Sequence, residues 1–242
     1  MNLFRCSIAA ALLAFAGVAQ AAEPAAISAY LQTLAQVEQA RQPVALQPLF
    51  ERALAVQDAL MEILPGSDRA YLETLSDADY RALRGRLRGL AMSREGAVYA
   101  QPDPDVLLEL ANAHGLPQDQ QFFELYRQYW SKNLFPSYMT PRADNINGCV
   151  NYGDGSLTEL YESWSSYARR YPQDYTRTVQ QNIKDIEDTV ALGTCACGNA
   201  ASVAREESRF IKRFPDSPVT ADARRRLREI RTHALKLPIA CR

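Results

Sequence analysis

Five cysteines, two histidines and one stretch crowded with Asn, Asp and Gly are where this 242-residue chain could do chemistry. Cys149, Cys195, Cys197 and Cys241 lie in the second half, and Cys6 stands alone near the N-terminus. Bridging Cys195 to Cys197 would close a very small, strained ring. Two pairings therefore remain open, 149–195 with 197–241 or 149–197 with 195–241. Either one makes the 195–197 segment a knot joining the middle of the chain to its C-terminus. Each closed loop should contribute on the order of 3–4 kcal/mol in the chain-entropy model. Structural zinc, thioredoxin-like redox chemistry and haem attachment all use Cys-x-x-Cys, which does not occur. Copper(I) prefers clustered soft sulfur, whereas Met61, Met92 and Met139 are scattered. The expectation is structural disulfides at Cys149, Cys195, Cys197 and Cys241, with no metal and no cofactor.

The stretch Asp144 to Gly155 carries oxygen-bearing side chains that would suit calcium. The EF-hand register fails there, because Ile146 takes the third position and Cys149 the sixth. Asn and Gly also serve tight turns, and Asp154 and Ser156 serve the start of a following helix. Asp144, Asn147, Tyr152 and Asp154 are the candidate binding residues of this stretch. His114 sits in a last helical turn before Gly115, where an imidazolium favours the helix C-terminus. His233 lies among Arg and Lys near the end. Two histidines so far apart are poor material for a triad. No nucleophile elbow, zinc helix or phosphate-binding loop is present.

Residues 1–22 combine Arg5, an apolar run from Ile8 to Val18 and Ala19-Gln20-Ala21, the pattern of a secretory signal peptide. Cys6 precedes the apolar run rather than standing at the cleavage site, which argues against a lipid anchor. Cleavage near Ala21 or Ala22 would leave 26 basic and 28 acidic residues, a charge of −2. The Ala-rich signal looks bacterial, so the expected address is the periplasm, or beyond, where disulfides persist. No later run is long enough to span a bilayer, so no membrane insertion is expected. The balanced charge and the lack of interleaved exposed aromatics argue against nucleic acid. Arg81, Arg84, Arg86 and Arg88, and Arg224, Arg225, Arg226, Arg228 and Arg231, read as solvated faces paired with nearby acids.

The elements that would position these residues are helical throughout. Apolar residues recur at helical spacing in Ile27–Val37, Leu49–Leu64, Tyr80–Leu90, Leu107–Ala111, Phe122–Trp130, Leu157–Tyr171, Val179–Val190, Val203–Phe214 and Val219–Ala234. Ser76, Asp103-Pro104, a Ser156–Glu159 capping box, and Asn199 mark helix starts. Only Ala97–Ala100 alternates like a strand. The expected fold is all-α, with about nine or ten amphipathic helices in antiparallel hairpins. Its parts are a 23–132 helical region, a 133–155 loop and 156–242 helical hairpins.

Tyr167-Ala168-Arg169-Arg170-Tyr171-Pro172 lines up with Phe210-Ile211-Lys212-Arg213-Phe214-Pro215 at a spacing of 43, and Ile183 and Ile186 with Leu227 and Ile230 at 44. Such hairpins bury little alone and tend to stack on neighbours. Arg209 to Pro218, followed by Ala221, Ala223 and Leu227, resembles the hairpin turn of tetratricopeptide-like repeats of bacterial cell-envelope proteins. The likeness covers 157–235; the Trp-Leu-Gly signature is missing. It implies a helical scaffold that grips a protein or peptide partner, and no chemistry.

The function expected is therefore a non-enzymatic binding or scaffold protein of the cell envelope. An immunity or inhibitor protein against a periplasmic toxin fits the same features. The alternative is a periplasmic cell-wall hydrolase using carboxylates near the 133–155 stretch, with Glu124 or Asp144 and Tyr152.

Overall fold

The computed structural model describes residues 22–130, 135–142, 145–193, 195–232, 234 and 239, without the side chains of 145–147. The signal-like segment and Cys241 lie outside the described residues. Among the described residues helices predominate, in ten segments, so the fold is all-α as expected. No helix among the described residues is long and apolar enough to cross a membrane.

The first half pairs α1 (Ala25–Gln39) with α2 (Gln47–Met61), followed by the short α3 (Tyr71–Thr74) and α4 (Asp77–Arg86). Ser76 caps α4 by accepting the Asp79 N–H at 3.1 Å. A two-stranded antiparallel ribbon, β1 (Leu90–Ser93) and β2 (Tyr99–Pro102), then lies against α2. Next come α5 (Pro104–His114), capped by Asp103 as its sequence requires, and α6 (Pro117–Tyr129).

The stretch expected to be a loop holds a second ribbon, β3 (Met139–Arg142) paired with β4 (Asn145–Val150). The strands are short and polar, so alternation gave no signal. Main-chain pairing continues into the knot. Val150 N–H donates to the Cys195 carbonyl and Cys197 N–H to the Val150 carbonyl, both at 2.9 Å. On the far side Ala196 N–H donates to the Ile239 carbonyl at 2.7 Å, so the middle of the chain holds its C-terminal segment through residue 196.

The second half consists of α7 (Ser156–Arg170) packed on α8 (Thr176–Leu192), and α9 (Ala200–Arg213) packed on α10 (Thr220–Arg231). The matched aromatics end α7 and α9 in the same way. Tyr171 adopts φ −131°, ψ 69° and Phe214 φ −127°, ψ 66°. The turn to α10 is one residue longer than the turn to α8, which carries the offset between the copies from 43 to 44. Asn199 caps α9 as expected, accepting the N–H groups of Ala201 and Ser202. The capping box expected at Ser156–Glu159 does not form. Gly155, at φ 99°, takes the N-cap position, Ser156 is already helical, and other carboxylates serve the free N–H groups.

One contiguous cluster of buried side chains runs from Ile27 to Ile230. At its centre the Phe122 ring stacks flat on Tyr175, with centroids 3.6 Å apart and planes 9° from parallel. Tyr175 stands in the left-handed region at φ 50°, an uncommon place for a bulky residue. Its hydroxyl donates to the buried Asp119 at 2.6 Å, and its N–H donates to Gln47 Oε1 at 2.9 Å. Asp119 in turn accepts the Leu116 N–H at the start of α6. These bonds fix the first turn of α8 against α2 and α6, and so set the separation of the walls described next.

Candidate binding groove

Two cavities open side by side between α2 and α8. One, of about 340 Å³, is lined by residues including Phe50, Leu54, Asp58, Tyr175 and Arg177. The other, of about 430 Å³, shares Phe50, Leu54, Asp58 and Arg177 and runs on to β2 and the end of α6. Such volumes suit a side chain or a small ligand. The floor is aromatic, from Phe50, Tyr126 and Trp130. The α2 wall presents Leu54, Gln57 and Asp58, and the α8 wall Arg177, Thr178, Gln181, Asn182 and Asp185, each spaced to fall on one helix face.

Several polar groups here lack partners. Asn182 is 3% exposed, yet its Nδ2 donor meets no acceptor. A buried donor without a partner costs about 1–3 kcal/mol. Asp58 and Arg177 line both cavities and neither forms an ion pair among the described residues. Asp185 accepts from Gln181 Nε2 at 2.8 Å and forms no ion pair among the described residues. Burial raises the Tyr126 phenol well above its ordinary value, so it stays a neutral hydroxyl.

A second polar cluster is fully enclosed by α7, α8, α9 and α10. Glu206 is 2% exposed and reaches across to the start of α7. Its Oε2 accepts the N–H groups of Gly153 and Gly155, at 3.0 and 3.1 Å. Its Oε1 accepts Thr158 N–H and Oγ1–H, at 3.2 and 2.7 Å. It is thus an N-terminal cap supplied from another helix. Arg226 does the converse at the end of α8. Its Nη1 donates to the Thr189 and Val190 carbonyls at 3.1 and 2.8 Å, and its Nη2 donates to that of Gly193. Glu207 lies 3.2 Å from the same guanidinium, but accepts no hydrogen bond from it. Burial outweighs the attraction of Arg226, with Glu206 adding to it, and pushes the Glu207 carboxyl up to about 8.

Tyr152, a candidate binding residue by sequence, belongs to this enclosed cluster. Its hydroxyl donates to the Thr189 carbonyl at 2.9 Å and its ring lies under Arg226. Asp154 is an exposed turn residue whose Oδ1 accepts Ser156 N–H at 2.9 Å. Asp144 and the Asn147 side chain lie outside the described residues. Of the four candidates only Tyr152 and Asp154 can therefore be placed, the first buried and the second exposed. Glu124 sits on α6, in an exposed i,i+3 pair with Arg127, and is not brought to Tyr152. Among the described residues no group of His, Cys, Asp and Glu is placed to hold a metal ion.

Cys149 and Cys197 form a disulfide, with Cα atoms 5.0 Å apart. Cys195 is disulfide-bonded as well. Of the two open pairings this is the one that reserves Cys195 for Cys241. Arg86 and Arg88 are paired with Glu23, Glu38 and Glu109 at the surface, as expected of a solvated face. Arg226 departs from that expectation, because it is only 8% exposed.

The sequence reading missed Asn182, Glu206 and Glu207, and placed Arg226 on a solvated face. A signal existed: each falls on its helix's apolar stripe. Asn182 stands between Val179 and Ile186, the two Glu between Val203 and Phe210, and Arg226 three residues after Ala223. The chain matches no protein-family model, and no curated protein and no solved structure matches it.

Proposed function

We propose that the protein is an exported, periplasmic binding protein of the bacterial cell envelope, which holds a partner in the α2–α8 groove and catalyses no reaction. One observation carries this reading: an aromatic-floored groove is walled by Asp58 and Arg177, which form no ion pair among the described residues, and by Asn182, whose amide donor meets no acceptor among them. A pure packing seam would satisfy or exclude them. The signal-like N-terminus and the Cys149–Cys197 disulfide, a bond that persists in oxidising compartments, support the address. The two similar helical turns support a tetratricopeptide-like scaffold in the second half.

The test places a photo-crosslinking residue at Gln181, in the groove, or at Arg224, on the outer side of α10, in cells of the source bacterium. Adducts from position 181 and not from 224 are expected, with the N-terminus of the recovered protein beginning near Glu23. Equal adducts from both positions, or none from 181, would sink the groove as the binding site. A second reading has its own support. Asp58 and Asp185 stand on opposite walls of one cleft, an arrangement of the kind that glycoside hydrolysis uses. Release of reducing ends from purified cell wall, lost in Asp58→Asn, would establish it.

A further inference from the structure

We propose that the α2–α8 groove takes an extended, cationic peptide segment, which adds as a strand to the free edge of β2. This rests on the binding reading above and names the ligand class. The Asp103 N–H donates to the Gly89 carbonyl at 2.8 Å. Hydrogen-bonded and non-hydrogen-bonded pairs alternate along an antiparallel ladder. With the observed register, Ala91–Gln101 and Ser93–Tyr99 then exchange bonds, whereas Leu90–Pro102 and Met92–Ala100 turn their main-chain groups outward. Two facts agree with that parity. Pro102 has no N–H to give, and the outward carbonyl of Met92 accepts the Tyr80 hydroxyl at 3.1 Å. The Ala100 N–H and C=O therefore point away from β1, and no described residue pairs with either.

Ala100 is 5% exposed, so these groups stand where leaving them unpaired is costly. They also border the cavity. Tyr99 and Gln101 direct their side chains to one face of β2 and Ala100 to the other, yet all three line it. A cavity that meets both faces of a strand meets its edge. An adjacent donor and acceptor on a strand edge are matched by another main chain, which offers the same pair in return. Asn182 lines the same cavity. Charge sets the sign of the ligand. Glu51, Asp58 and Asp185 against Arg177 give the two cavities a formal charge of −2, and none of the four is in an ion pair among the described residues.

The test uses the full mature chain and a fluorescein-labelled peptide, Lys-Val-Lys-Tyr-Lys-Val-Lys, read by anisotropy and by hydrogen exchange at the Ala100 amide. Controls are the same peptide with its inner amides N-methylated, its Glu-for-Lys counterpart, and chitotetraose as a neutral glycan. The cationic peptide should bind and slow exchange at Ala100. Methylation should weaken binding at least about tenfold, since it removes main-chain bonds and leaves the side chains. Asp58→Lys should also weaken it about tenfold, and less so at high salt. Ala100→Pro deletes the edge donor, and the methylated peptide keeps the test independent of whether that variant folds. Equal binding of the methylated or the acidic peptide, or no binding of any peptide, overturns the proposal. Chitotetraose bound at Asn182 with the peptides unbound overturns strand addition and leaves the groove as a binding site. No binding by any probe, together with no adducts at Gln181, overturns both.

Discussion

Replacing Glu207 by Gln tests whether the enclosed cluster holds a neutral carboxyl or a buried ion pair. Glu207 is 1% exposed and accepts no hydrogen bond, because both N–H groups of Arg226 Nη1, the nitrogen beside it, go to carbonyls at the end of α8. Burial raises its carboxyl from an ordinary 4.5 to about 8. Between those values the folded chain keeps a proton that the unfolded chain gives up, so stability falls as pH rises through that window. The slope approaches about 1.4 kcal/mol per pH unit, which amounts to roughly 3–4 kcal/mol between pH 5 and pH 8. Gln has nearly the same volume and does not titrate. Glu207→Gln should therefore match the parent at pH 5 to within about 1 kcal/mol, and exceed it by roughly 3–4 kcal/mol at pH 8. In melting temperature that gap is on the order of 10 °C. Urea and thermal unfolding of both proteins across this range give the difference directly, and the histidines, common to both, cancel. If Glu207 is instead ionised and paired with Arg226, the variant should lose about 3–5 kcal/mol at both pH values. A constant loss of that kind would refute the assignment of a neutral carboxyl.

Gly193→Ala would set a methyl group against the Tyr152 hydroxyl and the Thr189 carbonyl; a loss of about 1–3 kcal/mol in urea unfolding is expected, and an unchanged midpoint would show that the α8 terminus yields. Removing the Cys149–Cys197 bridge, which closes 48 residues, should cost about 4 kcal/mol, while the parent shows no reactive thiol before denaturation and reduction. In the same protein series Cys241→Ser should raise protease sensitivity around 216–242, because the Ile239 carbonyl is held by the knot at Ala196; a C-terminus that stays protected would mean helix packing alone retains it.

Periodicity determined the helices of this protein. The stripes from Ile27 to Ile230 each needed only residues three or four apart, and the caps at Ser76, Asp103 and Asn199 needed only neighbours in sequence. The repeat of 43 and then 44 was legible for the same reason, since a turn lengthened by one residue shifts everything after it. Cysteine count and spacing left two pairings, and only the distance between Cys149 and Cys197 in space chose between them. Of the two ribbons only the Ala97–Ala100 alternation, which overlaps β2, showed in the sequence; the rest escaped because strands of four to six residues with polar neighbours carry too little pattern, and their partners come from pairing rather than composition. Tyr152 and Asp154 were singled out for residue type, but a type does not say what lies opposite. Burial beneath Arg226 decided the first and a local turn the second. The groove is tertiary throughout: Asp58, Ala100, Trp130 and Asn182 come from four separate elements. Sequence marks Asn182 only as a polar residue on an apolar stripe. That its amide donor meets no acceptor depends on how α2, β2 and α6 meet α8, which the Tyr175–Asp119 and Tyr175–Gln47 bonds help to set.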